Sequence, residues 1–221
     1  MKDLAAEDGY KVEVVVFTDF VNPNTALAEG ELDINSMQTG PYFDQMIEEN
    51  GFDFIRVAPT ITIPMGIYSD KYDEASDFQK GDTITIPNTP TQEGRALQVL
   101  EQTGLITLPD GSGIEVTTKY IIENPLNLEF ITGDPALFTR QLQDVEAAGI
   151  NSNYMLDAGL SVPEYAIELE DTNDNVQVNW IVSRQEHEND PAIQKFVEYY
   201  QTNELKQFIE ETYQGAVVPS W

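Results

Sequence analysis

The clearest potential for chemistry lies in a strand–loop–helix pattern around residues 83–95. Residues 83–86 predict a strand, Thr89 can serve as N-cap, Pro90 as the first helical residue and Gln92 as the third, which makes a T-x-x-Q capping box. A helix start offers free backbone N–H groups and a positive dipole end, both suited to a carboxylate. Arg95 adds a planar guanidinium with bidentate geometry. The alternative is that Arg95 pairs with one of the 39 acidic side chains, and spacing alone does not choose.

A second group of candidate residues follows a short predicted strand at 32–35. Asn35, Met37, Thr39 and Tyr42 could line a small-ligand pocket that has one apolar side and a few hydrogen-bonding groups. The alternative is a buried turn in which Tyr42 packs into the core.

Two asparagines lie on or next to predicted strands. Asn151 follows the small-residue strand at 145–150, and Asn179 belongs to the strand at 177–182. An amide both donates and accepts hydrogen bonds, so each residue could recognise the amine and the carboxylate of an amino acid. Each could equally be a turn or capping residue.

Composition excludes several classes of function. The formal charge of −28, from 39 Asp and Glu against 11 Lys and Arg, disfavours binding to nucleic acid or anionic lipid. The chain has no Cys, which removes disulfides and thiolate metal sites, and its single histidine, His187, disfavours histidine-based triads. Residues 171–175 imitate a calcium loop, but Val176 replaces its glycine. No cofactor or metal is expected.

The elements that position these residues alternate between strand and helix. Further strands are predicted at 12–17, 54–59, 60–68 and 128–132, and further helices at 24–29, 41–50, 135–142, 153–159, 191–201 and 204–213. The helix that begins at Pro90 should end at Gly104. This alternation predicts an α/β protein with a mostly parallel sheet. Its two units would be joined by extended segments near 59–68 and 170–182, which suggests lobes connected by two crossing strands. Ligands of such folds bind at the carboxyl ends of strands.

Five segments together carry a family resemblance, in family order and over nearly the whole chain. Residues 33–45 (DINSMQTGPYFDQ) resemble the D-x-N-x-F-Q-H-x-P-Y-L segment of NlpA-type lipoproteins, the substrate-binding subunits of methionine ABC importers. Residues 87–97 (PNTPTQEGRAL) resemble the family's P-N-D-P-T-N-x-G-R-A-L. Residues 149–154 (GINSNY), 178–182 (VNWIV) and 213–219 (YQGAVVP) also match.

The resemblance implies a type II periplasmic-binding-protein fold whose lobes close over the ligand. Lobe one would comprise residues 1–66 and 177–221, and lobe two residues 67–176. The first strand of lobe one would be missing, and the unpaired edge would favour dimerisation. The implied partners are a methionine-like amino acid and an ABC permease. The implied location is extracytoplasmic, with a lipid anchor outside this chain.

Site roles also come from the resemblance. Arg95 would bind the carboxylate of the ligand, and Asn151 and Asn179 would bind its amino acid backbone. The side chain of the ligand would contact Phe20, Met37 and Tyr42. Thr39 stands where methionine binders have His, so the side-chain pocket is altered.

Three other functions compete with methionine capture. The altered pocket could select a methionine-containing dipeptide or another apolar amino acid. An acidic-dyad enzyme on the same fold is a second alternative, and an adhesin-like surface protein with a vestigial pocket is a third.

Overall fold

The structure, a computed structural model, describes residues 2–17, 21–172 and 176–221. The helices in these ranges are α1 (Lys2–Glu7), α2 (Asn22–Ala28), α3 (Gly40–Asn50), α4 (Pro90–Gln102), α5 (Phe138–Gln141), α6 (Ser152–Asp157), α7 (Val162–Tyr165), α8 (Pro191–Tyr200) and α9 (Asn203–Tyr213). The strands are β1 (Ile34–Thr39), β2 (Phe54–Pro59), β3 (Ile61–Thr62), β4 (Met65–Tyr68), β5 (Thr83–Pro87), β6 (Glu129–Gly133), β7 (Ala147–Asn151), β8 (Ala166–Leu169), β9 (Asn179–Arg184) and β10 (Val218–Pro219).

The chain divides into two compact units. Unit 1 comprises Met1–Thr62, Asn173–Tyr213 and Val218–Trp221, and unit 2 comprises Ile63–Thr172 and Gln214–Val217. Each unit has its own sheet and its own hydrophobic core.

Unit 1 is built on a three-stranded sheet in the order β1-β9-β2, in which both pairings are antiparallel. The prediction of a mostly parallel sheet is therefore wrong for the described part of this unit. Among the described residues, its core cluster includes the buried side chains of Leu27, Phe43, Phe54 and Val182. A second, two-stranded ladder joins β10 to β3.

The predicted strand at residues 12–17 is absent. These residues belong to no helix or strand, and Val14, Val15 and Val16 are 64%, 58% and 84% exposed. β-branched side chains fit a pleated, half-buried surface, but a strand also needs a neighbouring backbone with which to pair. No such neighbour pairs with 12–17 among the residues that the structure describes.

Unit 2 contains a mixed five-stranded sheet in the order β6-β5-β7-β4-β8. β5 runs parallel to β6 and β7, whereas β4 is antiparallel to β7 and β8. The three parallel strands agree with the predicted alternation of strand and helix. The antiparallel additions follow from the short chain segments that enter and leave this unit through β4 and β8.

Helix α4 packs against this sheet through a fully buried apolar face. Ala96, Leu97, Val99 and Leu100 recur at helical spacing and belong to the core cluster of unit 2. Close packing needs a glycine opposite the helix, because a Cβ at Gly149 would lie 2.7 Å from the Cβ of Ala96. Burial of this face fixes the position of the helix start.

The predicted capping box at this helix start is wrong, because the side-chain hydrogen bond that it requires is absent. Thr89 does occupy the N-cap position and Pro90 the first turn, but the Thr89 side chain accepts no hydrogen bond from the helix. Gln92 therefore does not complete a box, and its side-chain oxygen Oε1 is buried without a hydrogen-bond partner among the described residues.

No described helix is long and apolar enough to cross a lipid bilayer. Within residues 2–17, 21–172 and 176–221, no group of three or more His, Asp and Glu is arranged to hold a metal ion.

Candidate ligand-binding site

One edge of the unit 2 sheet gathers several polar groups. β5 and β7 are parallel neighbours, with Thr85 opposite Ala148, so their carboxyl ends lie at the same edge. Helix α4 begins after β5 and α6 begins after β7. Met65, the first residue of β4, is paired with Asn151 at this edge. The edge is where ligands bind in open α/β sheets.

Arg95 lies in this region and is almost fully buried. Its Nε donates to Oε1 of Glu170 at 3.0 Å, and its Nη2 donates both to Oε2 of Glu170 and to the carbonyl oxygen of Ile63 at 3.0 Å. The side chains of Arg95 and Glu170 are 8% and 11% exposed. Pairing with an acidic residue, one of the two alternatives open from sequence, is therefore present in the structure.

The pairing determines which donors of Arg95 remain. A guanidinium has five N–H donors, one on Nε and two on each terminal nitrogen. Glu170 and Ile63 use those of Nε and Nη2, whereas Nη1 makes no hydrogen bond with any described residue. The bidentate fork is thus occupied by Glu170, and only Nη1 can serve a ligand.

The start of α4 supplies further donors. The Thr89 side chain does not cap the helix, so it accepts no hydrogen bond from the backbone N–H groups of Thr91 and Gln92. Uncapped first-turn N–H groups and the helix dipole favour an anion.

Acceptors without partners lie near these donors. The side-chain oxygens of Gln92 and Asn151 are buried and make no hydrogen bond to any residue that the structure describes. Asn151 holds the N-cap position of α6 but does not cap it with its side chain. Buried polar atoms are normally paired, so two unpaired acceptors near one sheet edge point to a ligand with N–H groups. Donors and acceptors together suit a molecule with a carboxylate and an ammonium group.

The scaffold around Asn151 is held by a buried hydrogen-bond chain. The Ser152 hydroxyl donates to the carbonyl of Pro64 at 2.8 Å and accepts from the Tyr68 hydroxyl at 2.9 Å. Burial raises the pKa of Tyr68 to about 12, partly offset by the bond to Ser152. The chain ties β4 to the start of α6 and so fixes the end of β7.

Unit 1 brings four of its predicted site residues to one end of the β1–β9 pair. Thr39 ends β1 and is paired with Asn179, which begins β9. Met37 lies in the irregularity between Ser36 and Gln38, and Tyr42 is in the first turn of α3, where its backbone N–H donates to Thr39 Oγ1 at 3.4 Å. All three of Met37, Thr39 and Tyr42 are half-buried.

Two other predicted residues of this unit behave differently. The Asn35 side chain is occupied inside unit 1, since it donates to Asn24 at 2.9 Å and accepts from Gln38 at 3.0 Å. It is a buried scaffold residue and not a pocket residue. Phe20 lies outside the described residues.

Two open clefts elsewhere on the described surface contain none of the predicted site residues. One of about 530 Å³ in unit 1 is lined by residues that include Phe43 and Arg56. The other, of about 470 Å³ in unit 2, is lined by residues that include Arg140 and Tyr154. Neither has the converging donors and acceptors of the sheet edge.

Comparison with known proteins identifies the family. The sequence matches the profile of the NlpA lipoprotein family over residues 1–221. The chain belongs to the NlpA lipoprotein family. It is 39% identical over 218 residues to the "Probable D-methionine-binding lipoprotein MetQ" of Pasteurella multocida, a match that covers 98% of this chain and 79% of that protein.

Solved structures of similar proteins share the fold. A nutrient-binding protein from Burkholderia cenocepacia bound to methionine is 37% identical, with a TM-score of 0.85 over 98% of this chain and 91% of that one. A periplasmic substrate-binding protein of an ABC transporter from Coxiella burnetii is 32% identical, with a TM-score of 0.86 over 99% and 92%. The α/β binding-protein fold predicted for this NlpA-family chain is confirmed.

Sequence reasoning missed two residues of the candidate site. Glu170 is one of many carboxylates, and no motif distinguishes it. The only signal was the general expectation that a buried arginine needs a counter-ion. Gln92 was interpreted as a capping residue, and only the absent cap bond reveals its free oxygen.

Proposed function

We propose that this NlpA-family protein captures methionine, or a closely related amino acid, outside the cytoplasm and delivers it to an ABC permease. The similar proteins from Pasteurella multocida, Burkholderia cenocepacia and Coxiella burnetii support methionine as ligand, a permease as partner and a lipid-anchored location. The chain acts by binding, and the acidic-dyad enzyme is set aside, because the relatives are substrate-binding proteins.

The observation that carries this proposal is the set of unpaired groups in unit 2. In our proposal the ligand carboxylate binds Nη1 of Arg95 and the N–H groups at the start of α4. The ligand ammonium donates to Asn151, and Gln92 offers a second acceptor. The orphaned buried oxygens of Gln92 and Asn151 support this arrangement, because a zwitterion would satisfy both.

Unit 1 would contribute the recognition of the side chain. We propose that Met37, Tyr42 and Phe20 contact the apolar part of the ligand and that Asn179 contacts its amino acid backbone. Support comes from the resemblance and from the grouping of Met37, Thr39, Tyr42 and Asn179 at one end of a strand pair.

Thr39 favours a second candidate ligand. It replaces the His of methionine binders, and its hydroxyl accepts from the Tyr42 backbone instead of presenting a ring. A smaller side chain at this position leaves room for a different apolar amino acid or a methionine-containing dipeptide. Ligand choice within this class therefore depends on Thr39.

We also propose that the exposed valines in residues 12–16 allow two copies to associate. Val14, Val15 and Val16 are β-branched, exposed and outside any strand, and such segments can pair with another chain. Light scattering during size-exclusion chromatography from about 10 to 500 μM tests this, with Val15→Lys as the disrupting variant. A monomer at every concentration would refute it.

The proposed function is tested by native mass spectrometry of purified protein, followed by identification of the ligand released on denaturation. One methionine or small amino acid per chain is expected. Titration calorimetry on ligand-stripped protein should then show binding at least about 30-fold weaker for Arg95→Met and unchanged binding for the control Arg140→Met, which removes an exposed arginine of the same unit. An empty protein with no heat or thermal shift for any amino acid or short peptide would refute the proposal.

A further inference from the structure

Both carboxylate oxygens of Glu170 accept hydrogen bonds, from Arg95 and from the start of β4. Its two oxygens accept from Nε and Nη2 of Arg95, and Oε2 also accepts from the backbone N–H of Met65 at 3.1 Å. Its own N–H donates to the carbonyl of Met65. The carboxylate is therefore fixed to β4 on one side and fixes the arginine on the other.

This pairing has two consequences for Arg95. First, the plane of the guanidinium is locked by three hydrogen bonds, two to Glu170 and one to Ile63, so Nη1 is held in a single direction. Second, the positive charge is matched by a negative one in a nearly dry environment. The subsite that meets a ligand carboxylate therefore has no net charge of its own.

We propose that Glu170 is a positioning and specificity-determining residue, which makes this subsite select a zwitterionic amino acid over an acid that lacks the ammonium group. The proposal rests on the proposed function and specifies the ammonium group as the feature of the ligand that the site selects. Glu170 would act through Arg95 and need not touch the ligand.

The physical reason is the balance of charge on binding. A zwitterion adds no net charge to a neutral Arg95–Glu170 pair, whereas a bare carboxylate leaves one negative charge in excess. That excess is costly in a site of low dielectric within a chain of charge −28. Without Glu170, the unmatched Arg95 would instead attract a bare carboxylate strongly.

Another carboxylate near the start of α4 does not have this role. Glu93 is buried, but its Oε1 accepts from the backbone N–H of Thr118 at 2.9 Å, and it makes no ion pair with any described residue. Its contact holds the 113–118 loop against the helix. The positive charge of Arg95 is therefore compensated by Glu170.

The test compares two ligands that share one side chain. Calorimetry measures the Kd of L-methionine and of 4-(methylthio)butanoate, which lacks the ammonium group, for the wild type and for Glu170→Gln. The ratio of the two Kd values, deaminated acid over methionine, should fall at least tenfold in Glu170→Gln. A purely structural role would weaken both ligands together and leave the ratio unchanged.

Glu146, a second partly buried and ion-paired carboxylate of unit 2, provides a matched control. Glu146 precedes β7, pairs with Lys71 at 3.1 Å and is also partly buried, so Glu146→Gln removes one charge from the same unit. Its ratio should equal that of the wild type. Glu170→Asp keeps the charge and should also keep the ratio, even if the shorter side chain weakens both Kd values.

The outcomes separate this proposal from the proposed function. Failure of the wild type to bind methionine, any other amino acid or a short peptide would overturn the proposed function. Normal binding by the wild type with an unchanged ratio in Glu170→Gln would overturn the role of Glu170 alone. Melting curves report folding, and Glu170→Met provides a second neutral variant should Gln not be tolerated.

Discussion

Replacement of Arg95 by alanine should affect stability and ligand binding through the same side chain. The substitution removes three hydrogen bonds and leaves the Glu170 carboxylate buried, with only the Met65 N–H still donating to it. Breaking a buried ion pair on one side costs about 3–5 kcal/mol. For a chain of this length, about 2–4 °C of Tm per kcal/mol gives a decrease of about 6–20 °C.

Ligand affinity should fall for a separate reason. Nη1 is the donor of Arg95 that is left for a carboxylate, and a charge-assisted hydrogen bond contributes about 1.5–3 kcal/mol. A loss of at least about 2 kcal/mol corresponds to a Kd about 30-fold higher. Ligand-free protein is measured by differential scanning calorimetry, and binding by titration of methionine below the reduced Tm.

A double variant separates the two effects. Arg95→Met combined with Glu170→Gln leaves neither charge unpaired, so most of the lost stability should return while methionine affinity stays low. An unchanged Kd in Arg95→Ala would refute the carboxylate assignment. An unchanged Tm would refute the buried pair, and equal melting of Arg95→Met alone and of the double variant would refute the charge argument.

Three further predictions concern unit 2. Gly94→Ala should lower the free energy of unfolding by about 1–3 kcal/mol or more and weaken methionine binding, because the new Cβ would lie 2.1 Å from the carbonyl oxygen of Ile114. Unchanged melting in calorimetry would contradict this. Burial raises the pKa of Tyr68 from 10.0 to about 12, so its contribution to stability should hold below pH 10 and disappear between pH 10 and 12, as denaturant titrations against Tyr68→Phe can measure. Hydrogen bonds from the Thr83 N–H and then from Lys71 lower the pKa of Glu146, so the wild type should be more stable than Glu146→Gln at neutral pH. Denaturant titrations should show this difference in unfolding free energy vanish as the pH falls through the lowered pKa. A difference that does not depend on pH would refute this role of Glu146.

The sequence allowed the α4 region to be predicted because its signals are local. Pro90 sets the first turn, apolar residues at helical spacing bury one face, and Thr103 and Gly104 end the helix close to the predicted position. The strand before Asn151 was recognisable from its small residues, which the close approach of α4 requires at Gly149. Short-range propensity and packing were therefore enough to place Arg95 and Asn151.

Features that depend on distant partners were not predictable. The valine run at 12–16 has high strand propensity, but pairing requires a neighbouring backbone that local sequence does not reveal. Glu170 lies 75 positions from Arg95, and nothing marks it among 39 acidic residues. The antiparallel sheet of unit 1 likewise depends on β9, which enters that unit from far along the chain.

The unpaired groups near the edge of the unit 2 sheet should affect the stability of the free protein and of the ligand-bound protein in opposite ways. Each buried polar atom without a partner costs about 1–3 kcal/mol, so the orphaned oxygens of Gln92 and Asn151 lower the stability of the free protein. A ligand that pairs with them recovers this cost only in the folded state. Saturation at 100 times Kd should then add about 2.7 kcal/mol to unit 2. If Asn151→Leu stabilises the free protein and abolishes the gain from methionine, the orphaned oxygen is held for the ligand. A variant that is less stable when free and still stabilised by methionine would show that Asn151 belongs to the scaffold.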